Sequence, residues 1–349
     1  MSSRQSSLNV GIVVGIVLAA VGVIGCLAGL GVWGASHSYS STPEEHTSTP
    51  DDDGGSVVIG TTPDPDFWSN LGGPGADDGE LHDSRNNNVD YQIREEMWGI
   101  AQTEHLDAYD MDVDCTFEVR YPKLADAGSH TDEVNELLKS TAMHTVRTYY
   151  EDPSDETVEM IKKLVSGSHD FIPAGADAML SSEVDYAVSY NDARLLSVCF
   201  SDTYYIGSEA LGFVRLRTVN VDLKTGKTYE LDDVLTGDED VATSFVDNLV
   251  RTSGTDENDD GRIDDDECST VRIAGREALV EALQGKGKLA EERVDTCFYV
   301  DGNGQPNLGA NYWVSGDDGF VRGWWDVTIT DEQLENVRKD SRFWKLLGR

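Results

Sequence analysis

The stretch "LNVGIVVGIVLAAVGVIGCLAGLGVWG", Leu8 to Gly34, carries no charged side chain. No other segment restricts the folding of this chain so severely. An apolar run of about 20 residues suffices to cross a bilayer as a helix, and this run is longer. The sequence therefore predicts a transmembrane helix over residues 9–34. Arg4 is the only basic residue before it, acidic residues follow it, and the next basic residue is Arg85. The positive-inside rule then leaves residues 1–8 in the cytoplasm and puts everything after Gly34 outside. The expected location is a cell membrane, crossed once, with the C-terminal domain extracellular.

Two other readings share that outcome. A cleaved signal peptide has a shorter apolar core than this. "VIGC", Val23 to Cys26, is similar to a lipoprotein processing box with Cys26 as the lipidated residue. The apolar run continues past Cys26, where a mature lipoprotein turns polar. All three readings place the main domain outside the membrane.

Charge narrows the partners. Asp and Glu number 65 against 27 Lys and Arg, a formal net charge of −38. Nucleic acid and anionic lipid are bound through Lys and Arg, so such a chain repels both. It attracts cations and basic proteins instead. Apart from Cys26 there are four cysteines, Cys115, Cys199, Cys268 and Cys297. In an exported domain an even number reads as two disulfides. Four cysteines allow three pairings, and Cys115–Cys199 with Cys268–Cys297 joins the nearer segments. A zinc site is disfavoured, because no two of them have the short spacing zinc modules use.

Residues 35–108 read as an acidic linker rich in Ser, Thr, Pro, Gly and Asp, too polar to bury a core and extended by its own charge. "YQIREEMWGI" within it reads as a short docking helix. Two modules follow, at 109–212 and 213–349. In the first, "DVDCTFEVRYPKL" has the period of a half-buried strand, and Val134, Leu137, Leu138, Ala142 and Tyr149 recur at helical spacing. "SSEVDYAVSYNDARLLSVCFSDTYYIG" reads as a hairpin turning at Asn191-Asp192. "FVRLRTVNVDLKTGKTYELDDVL" reads as a second hairpin turning at Gly226. Aromatic-rich strands follow Cys297, and "DEQLENVRKDSRFWKLLG" reads as a closing helix. The expected class is α+β, an antiparallel sheet with helices on one face.

"DENDDGRIDDDE", Asp256 to Glu267, has the oxygen-ligand spacing of an EF-hand loop. Asp256, Asn258 and Asp260 occupy positions 1, 3 and 5. Gly261 at position 6 permits the sharp turn, and Arg262 at position 7 offers its backbone carbonyl. Asp264 is position 9 and Glu267 is the bidentate position 12. Ile263 supplies the apolar side chain such a loop packs against a neighbour. The expected cofactor is one structural calcium ion. The competing reading is a solvated acidic loop in an acidic chain.

No catalytic constellation emerges, so the chain is not expected to be an enzyme. No His follows His169, no Ser-centred elbow or His-Glu-x-x-His motif is present, and pairs of carboxylates carry no information in so acidic a chain. Tyr204, Tyr205, Trp313 and Trp324 are candidates for a ligand-binding face, since Tyr and Trp are enriched at hot spots. For such aromatics the core is the default.

"FEVRYPKL" with the "NELL" helix, "NDARLLSVCFSDTYYIG" and "VNVDLKTGKTYELDDVL" together resemble a domain-of-unknown-function family. Its modules form the extracellular part of the anti-sigma factor RsiV and the N-terminal part of the peptidoglycan deacetylase PdaC. The resemblance spans roughly residues 111–335, with the EF-hand-like loop as an insertion. It departs at "IGSEALG", where the family tends to carry Gly-Ala-His. The short segment before the apolar run is too small for a sigma-binding helix, and the deacetylase domain is missing, so neither activity is carried over. In RsiV the module recognises lysozyme. The resemblance therefore implies an extracellular ligand-binding module for a basic protein such as lysozyme, or for a cell-wall glycan. The alternatives are a glycan-acting enzyme using paired carboxylates and a purely structural surface protein.

Overall fold

The structure, a computed structural model, describes residues 58–60, 89, 91–166, 178–207, 212–254, 261–287, 294–316 and 319–349. The proposed membrane span, Cys26 and most of the acidic linker lie outside them. No helix among the described residues is long and apolar enough to cross a membrane.

Alternation builds the first sheet. Along β3 (Met111–Ala125), Val113, Cys115, Phe117, Val119 and Tyr121 are buried on one face. β2 (Gln92–Leu106) runs antiparallel to β3 along its whole length. β4 (Met179–Asn191), β5 (Leu195–Gly207) and β6 (Gly212–Asp222) complete a five-stranded sheet in the order β2-β3-β4-β5-β6. The β3–β4 pairing is parallel, which corrects the expectation of a wholly antiparallel sheet. The reason lies in the connection: parallel strands need a crossover. Helices α1 (Thr131–Ala142), α2 (His144–Val146), a π-turn (Arg147–Glu151) and α3 (Asp155–Val165) stand in it. Val134, Leu138 and Ala142 of α1 pack on the sheet with Phe117, Val198 and Phe200.

β2 lies inside the span assigned to the linker, where a short helix was expected. Its packed positions change parity between Ile93 and Trp98, which hides the period of two. Pairing with β3 overrides the helical preference of Arg-Glu-Glu-Met. The folded body thus begins before residue 109.

The second sheet joins β7 (Val294–Val300), β8 (Pro306–Gly316) and β9 (Gly319–Thr328), with β1 (Val58–Gly60) parallel to β9 at its edge. Its outer face carries α4 (Leu231–Val234), α5 (Glu239–Ser253), α6 (Ser269–Ala274), α7 (Arg276–Leu283), α8 (Asp331–Val337) and α9 (Arg342–Leu346). Phe245, Leu249, Leu279, Phe343 and Trp344 fill the core beneath them. The expected closing helix is two helices, α8 and α9. The second hairpin reduces to β6, a turn with Gly226 at φ 68°, and a bridge from Val221 to Thr228, after which α4 begins.

The inner faces of the two sheets meet. Ala187, Cys199 and Leu216 from the first pack on Tyr299 and Trp324 from the second. The order of layers is helices, sheet, sheet, helices, so β5 is covered on both faces and buried almost throughout. Buried amides rivet the seam. Asn311 donates to the Leu216 carbonyl at 2.8 Å and accepts from the Leu216 N–H at 2.7 Å. Asn220 donates to the Phe298 carbonyl at 2.8 Å, and the Ser197 hydroxyl accepts from the Val300 N–H at 3.1 Å. β6 and β7 are edge strands, and these bonds give the backbone groups of Leu216 on β6 and of Phe298 and Val300 on β7 partners away from water.

Candidate functional site

Of the metal candidates, Asp256, Asn258 and Asp260 lie outside the described residues. The second half of the loop is described. Gly261 has φ 80°, the left-handed conformation its loop position asks of a glycine. Ile263 packs against the helical core of the second module. Gly254, at the end of α5, allows that approach: a Cβ there would lie 2.2 Å from Ile263 Cγ2 and 2.7 Å from the Val250 carbonyl. Asp264 caps a 3₁₀ turn, Asp265–Glu267, and its N–H donates to Glu267 Oε2 at 2.9 Å. Glu267 is buried at 9% exposure. Asp265 is held by Arg276 through two bonds of 2.6 Å, and the same guanidinium reaches Asp247 on α5 at 2.7 Å. That hydrogen bond holds the Asp265 carboxyl below the usual carboxylate range. Arg276, the first residue of α7, therefore ties the loop's exit to α5 and α7. Among the described residues, no three His, Cys, Asp or Glu side chains form a metal-holding group.

The four candidate aromatics separate. Trp324 is 4% exposed within the seam between the sheets, and Tyr204 is 6% exposed on the helix side of β5. Both belong to the core, which corrects their assignment to a binding face: adjacent strand positions point to opposite faces, and here both faces are covered. Tyr205 is half-buried. Trp313 is 52% exposed. It nevertheless ends a ladder of rings. Tyr149 stacks on Tyr204 at 6.0 Å, Tyr204 on Phe213 at 5.1 Å, and Phe213 meets Trp313 edge-on at 5.8 Å. An exposed indole seated on such a ladder is pre-positioned for contact with a partner.

Beside the ladder lies a polar cluster that periodicity does not reveal. Asp202, fully buried on β5, accepts from Ser182 at 2.7 Å, from the Thr145 hydroxyl and from Arg217 at 2.5 Å. Arg215 pairs with Asp295 of the second sheet at 2.8 Å. His144, on α2, keeps an exposed side chain, and partial desolvation together with the charges of Arg217 and Arg215 holds its imidazole below its ordinary value. The π-turn Arg147–Glu151 closes this region, a distortion often found at functional sites. One signal in the sequence was available: Asp202, Arg215 and Arg217 are charges inside strands that otherwise read as buried.

A second acid, half-buried, lies beside the seam. Asp326 accepts from the Tyr299 hydroxyl, and burial pushes its carboxyl up to about 6 from 3.8. A raised acid stabilises the fold fully below its unfolded value, and that contribution is lost as pH rises through the folded value. The window here is pH 4 to 6, and the magnitude is on the order of 3 kcal/mol. Asp326→Asn is expected to be more stable than the parent at pH 8 by about 2 kcal/mol. The difference should shrink toward pH 4, as measured by urea unfolding at both pH values.

The four cysteines are free thiols. The expected pairing Cys115–Cys199 is corrected by register. Cys115 aligns with Leu180, which aligns with Ile206, seven positions along β5 from Cys199, and β4 lies between. That separates them by about 25 Å at ~3.3 Å per residue and ~4.8 Å per strand, far beyond disulfide reach. Cys268 lies in the helical core while Cys297 faces the seam, so the second sheet stands between that pair too.

No protein-family model matches the chain, and no curated protein matches it. Solved structures are similar to it, among them two DUF3298 family proteins. One is a member of the DUF3298 family from Bacteroides fragilis, at 15% identity and a TM-score of 0.40, covering 74% of this chain and 98% of its own. The other is a DUF3298 family protein from Pseudomonas aeruginosa, at 9% identity and a TM-score of 0.32, covering 71% and 95%.

Proposed function

We propose that this chain is a membrane-anchored extracellular binding module whose ligand is a basic protein of the lysozyme kind. The exposed Trp313, held on its ring ladder, carries the reading. A net charge of −38 supports a basic partner through steering and complementarity. The exposed indole also suits stacking on a sugar ring, so a cell-wall glycan is the second reading. Calorimetric titration of residues 37–349, the compact unit, with lysozyme at moderate salt tests it. The expected outcome is saturable one-to-one binding with a dissociation constant below about 1 μM. Weak binding that disappears with salt would reduce the attraction to unspecific charge.

We further propose a structural calcium ion in the loop Asp256–Glu267, with Asp256, Asn258, Asp260, Asp264 and Glu267 and the Arg262 carbonyl as ligands. The positive φ of Gly261, the buried Glu267 and the seat of Ile263 fit that loop. The ion would brace α5 against α6 and α7. At the weak affinities of extracellular hands, about 10 mM calcium adds roughly 1–3 kcal/mol. The thermal midpoint is expected to fall by several degrees in chelator, and an unchanged midpoint would remove the ion from the account.

A further inference from the structure

We propose that Cys199 and Cys297 are joined in an oxidised form of the protein by a disulfide across the seam, covalently stapling the two sheets.

Three observations converge on this pair. Both side chains belong to the cluster between the sheets, with Cys199 fully buried and Cys297 packed against it. Thr218 links them. It stands directly opposite Cys199 in the β5–β6 register, where side chains sit about 5 Å apart, and it is hydrogen-bonded to the Cys297 thiol. The strands come close at this point. β5 and β7 have residues within 8 Å, Cα to Cα; the Ser197–Val300 bond joins these two strands, and the Asn220–Phe298 bond joins β6 to β7 beside them. Gly309, opposite Cys297, leaves the room a moving sulfur needs: a Cβ there would stand 2.9 Å from the Cys297 sulfur. Cys115 and Cys268 have no such counterpart, each lying in a separate helical core.

The chemistry requires a disulfide donor, namely an exchangeable low-molecular-weight or oxidoreductase disulfide. One cysteine thiolate attacks it and forms a mixed disulfide, releasing one thiolate of the donor. The second cysteine, after losing its proton, attacks the protein sulfur of that mixed disulfide and expels the other half of the donor. Two protein thiols lose two protons and two electrons, and the donor disulfide is reduced to two thiols. Burial pushes the Cys297 thiol up to about 12 and raises Cys199 as well. The exchange therefore belongs to folding, before the seam closes.

The test refolds the full chain from a reduced, denatured state in a mixture of reduced and oxidised glutathione. Free thiols are then alkylated under denaturing conditions and the peptides mapped without reduction. The expected result is one linked pair, the Cys199 and Cys297 peptides, with Cys115 and Cys268 alkylated. The oxidised form should melt roughly 10 °C above its reduced counterpart, because the closed loop is long. Recovery of Cys199 and Cys297 as alkylated thiols, or linked to any other cysteine, would overturn the proposal.

Discussion

Asp202→Ala is expected to destabilise the fold by about 3–5 kcal/mol, because it leaves a buried cation without its counter-ion. Asp202 is fully buried, and the Arg217 side chain beside it is only 13% exposed. The substitution removes the acceptor of Arg217, of Ser182 and of Thr145 together. Arg217 keeps only its 3.3 Å bond to the Thr145 hydroxyl. Such a loss is a large share of the roughly 5–15 kcal/mol by which domains are stable. Asp202→Asn retains a neutral acceptor and should lie between the variant and the parent. Urea unfolding reads both. A lower midpoint at unchanged slope is expected, and a loss under about 1 kcal/mol would mean that Arg217 finds another partner or reaches water.

Asn311→Ala is expected to weaken the seam by about 2–6 kcal/mol, the cost of orphaning two buried backbone groups at ~1–3 each. The amide of Asn311 serves the N–H and the C=O of Leu216 simultaneously. Leu216 is buried at 1% exposure, so water does not replace either bond. The effect should be local before it is global. Amide exchange at Leu216 should accelerate more than at Val198, in the centre of the first sheet. Equal acceleration everywhere would indicate that the two sheets unfold as one unit through this contact.

Much of the architecture could be read from the chain, because its strands and helices are amphipathic. The alternation of β3, the hairpin at Asn191-Asp192, the turn at Gly226 and the three aromatic strands after Cys297 all follow from local pattern and turn chemistry. Two features did not. β2 was hidden by its change of parity between Ile93 and Trp98, and by a linker-like composition just before it. The facing of the two sheets was hidden because burial on both sides of β5 erases alternation: every residue from Leu195 to Asp202 is buried, polar ones included. The disulfide pairing failed for the same reason: sequence separation says nothing about which face of which sheet a cysteine occupies. Among the aromatics, composition could not separate Trp313 from Trp324, which differ only in whether another layer covers them. For the acidic loop, spacing identified the candidate ligands, whereas the clasp of Asp265 by Arg276 depends on a helix that begins after the loop.

The most direct test of the proposed binding role is the lysozyme titration repeated with Trp313→Ala. Trp313 is half exposed, so the variant should keep the parent's unfolding midpoint within a degree or two. The expected result is a dissociation constant raised at least tenfold, about 1.4 kcal/mol, as for an aromatic anchor in an interface. An unchanged constant in a folded variant would contradict the placement of the binding face at the end of the Tyr149–Tyr204–Phe213 ladder.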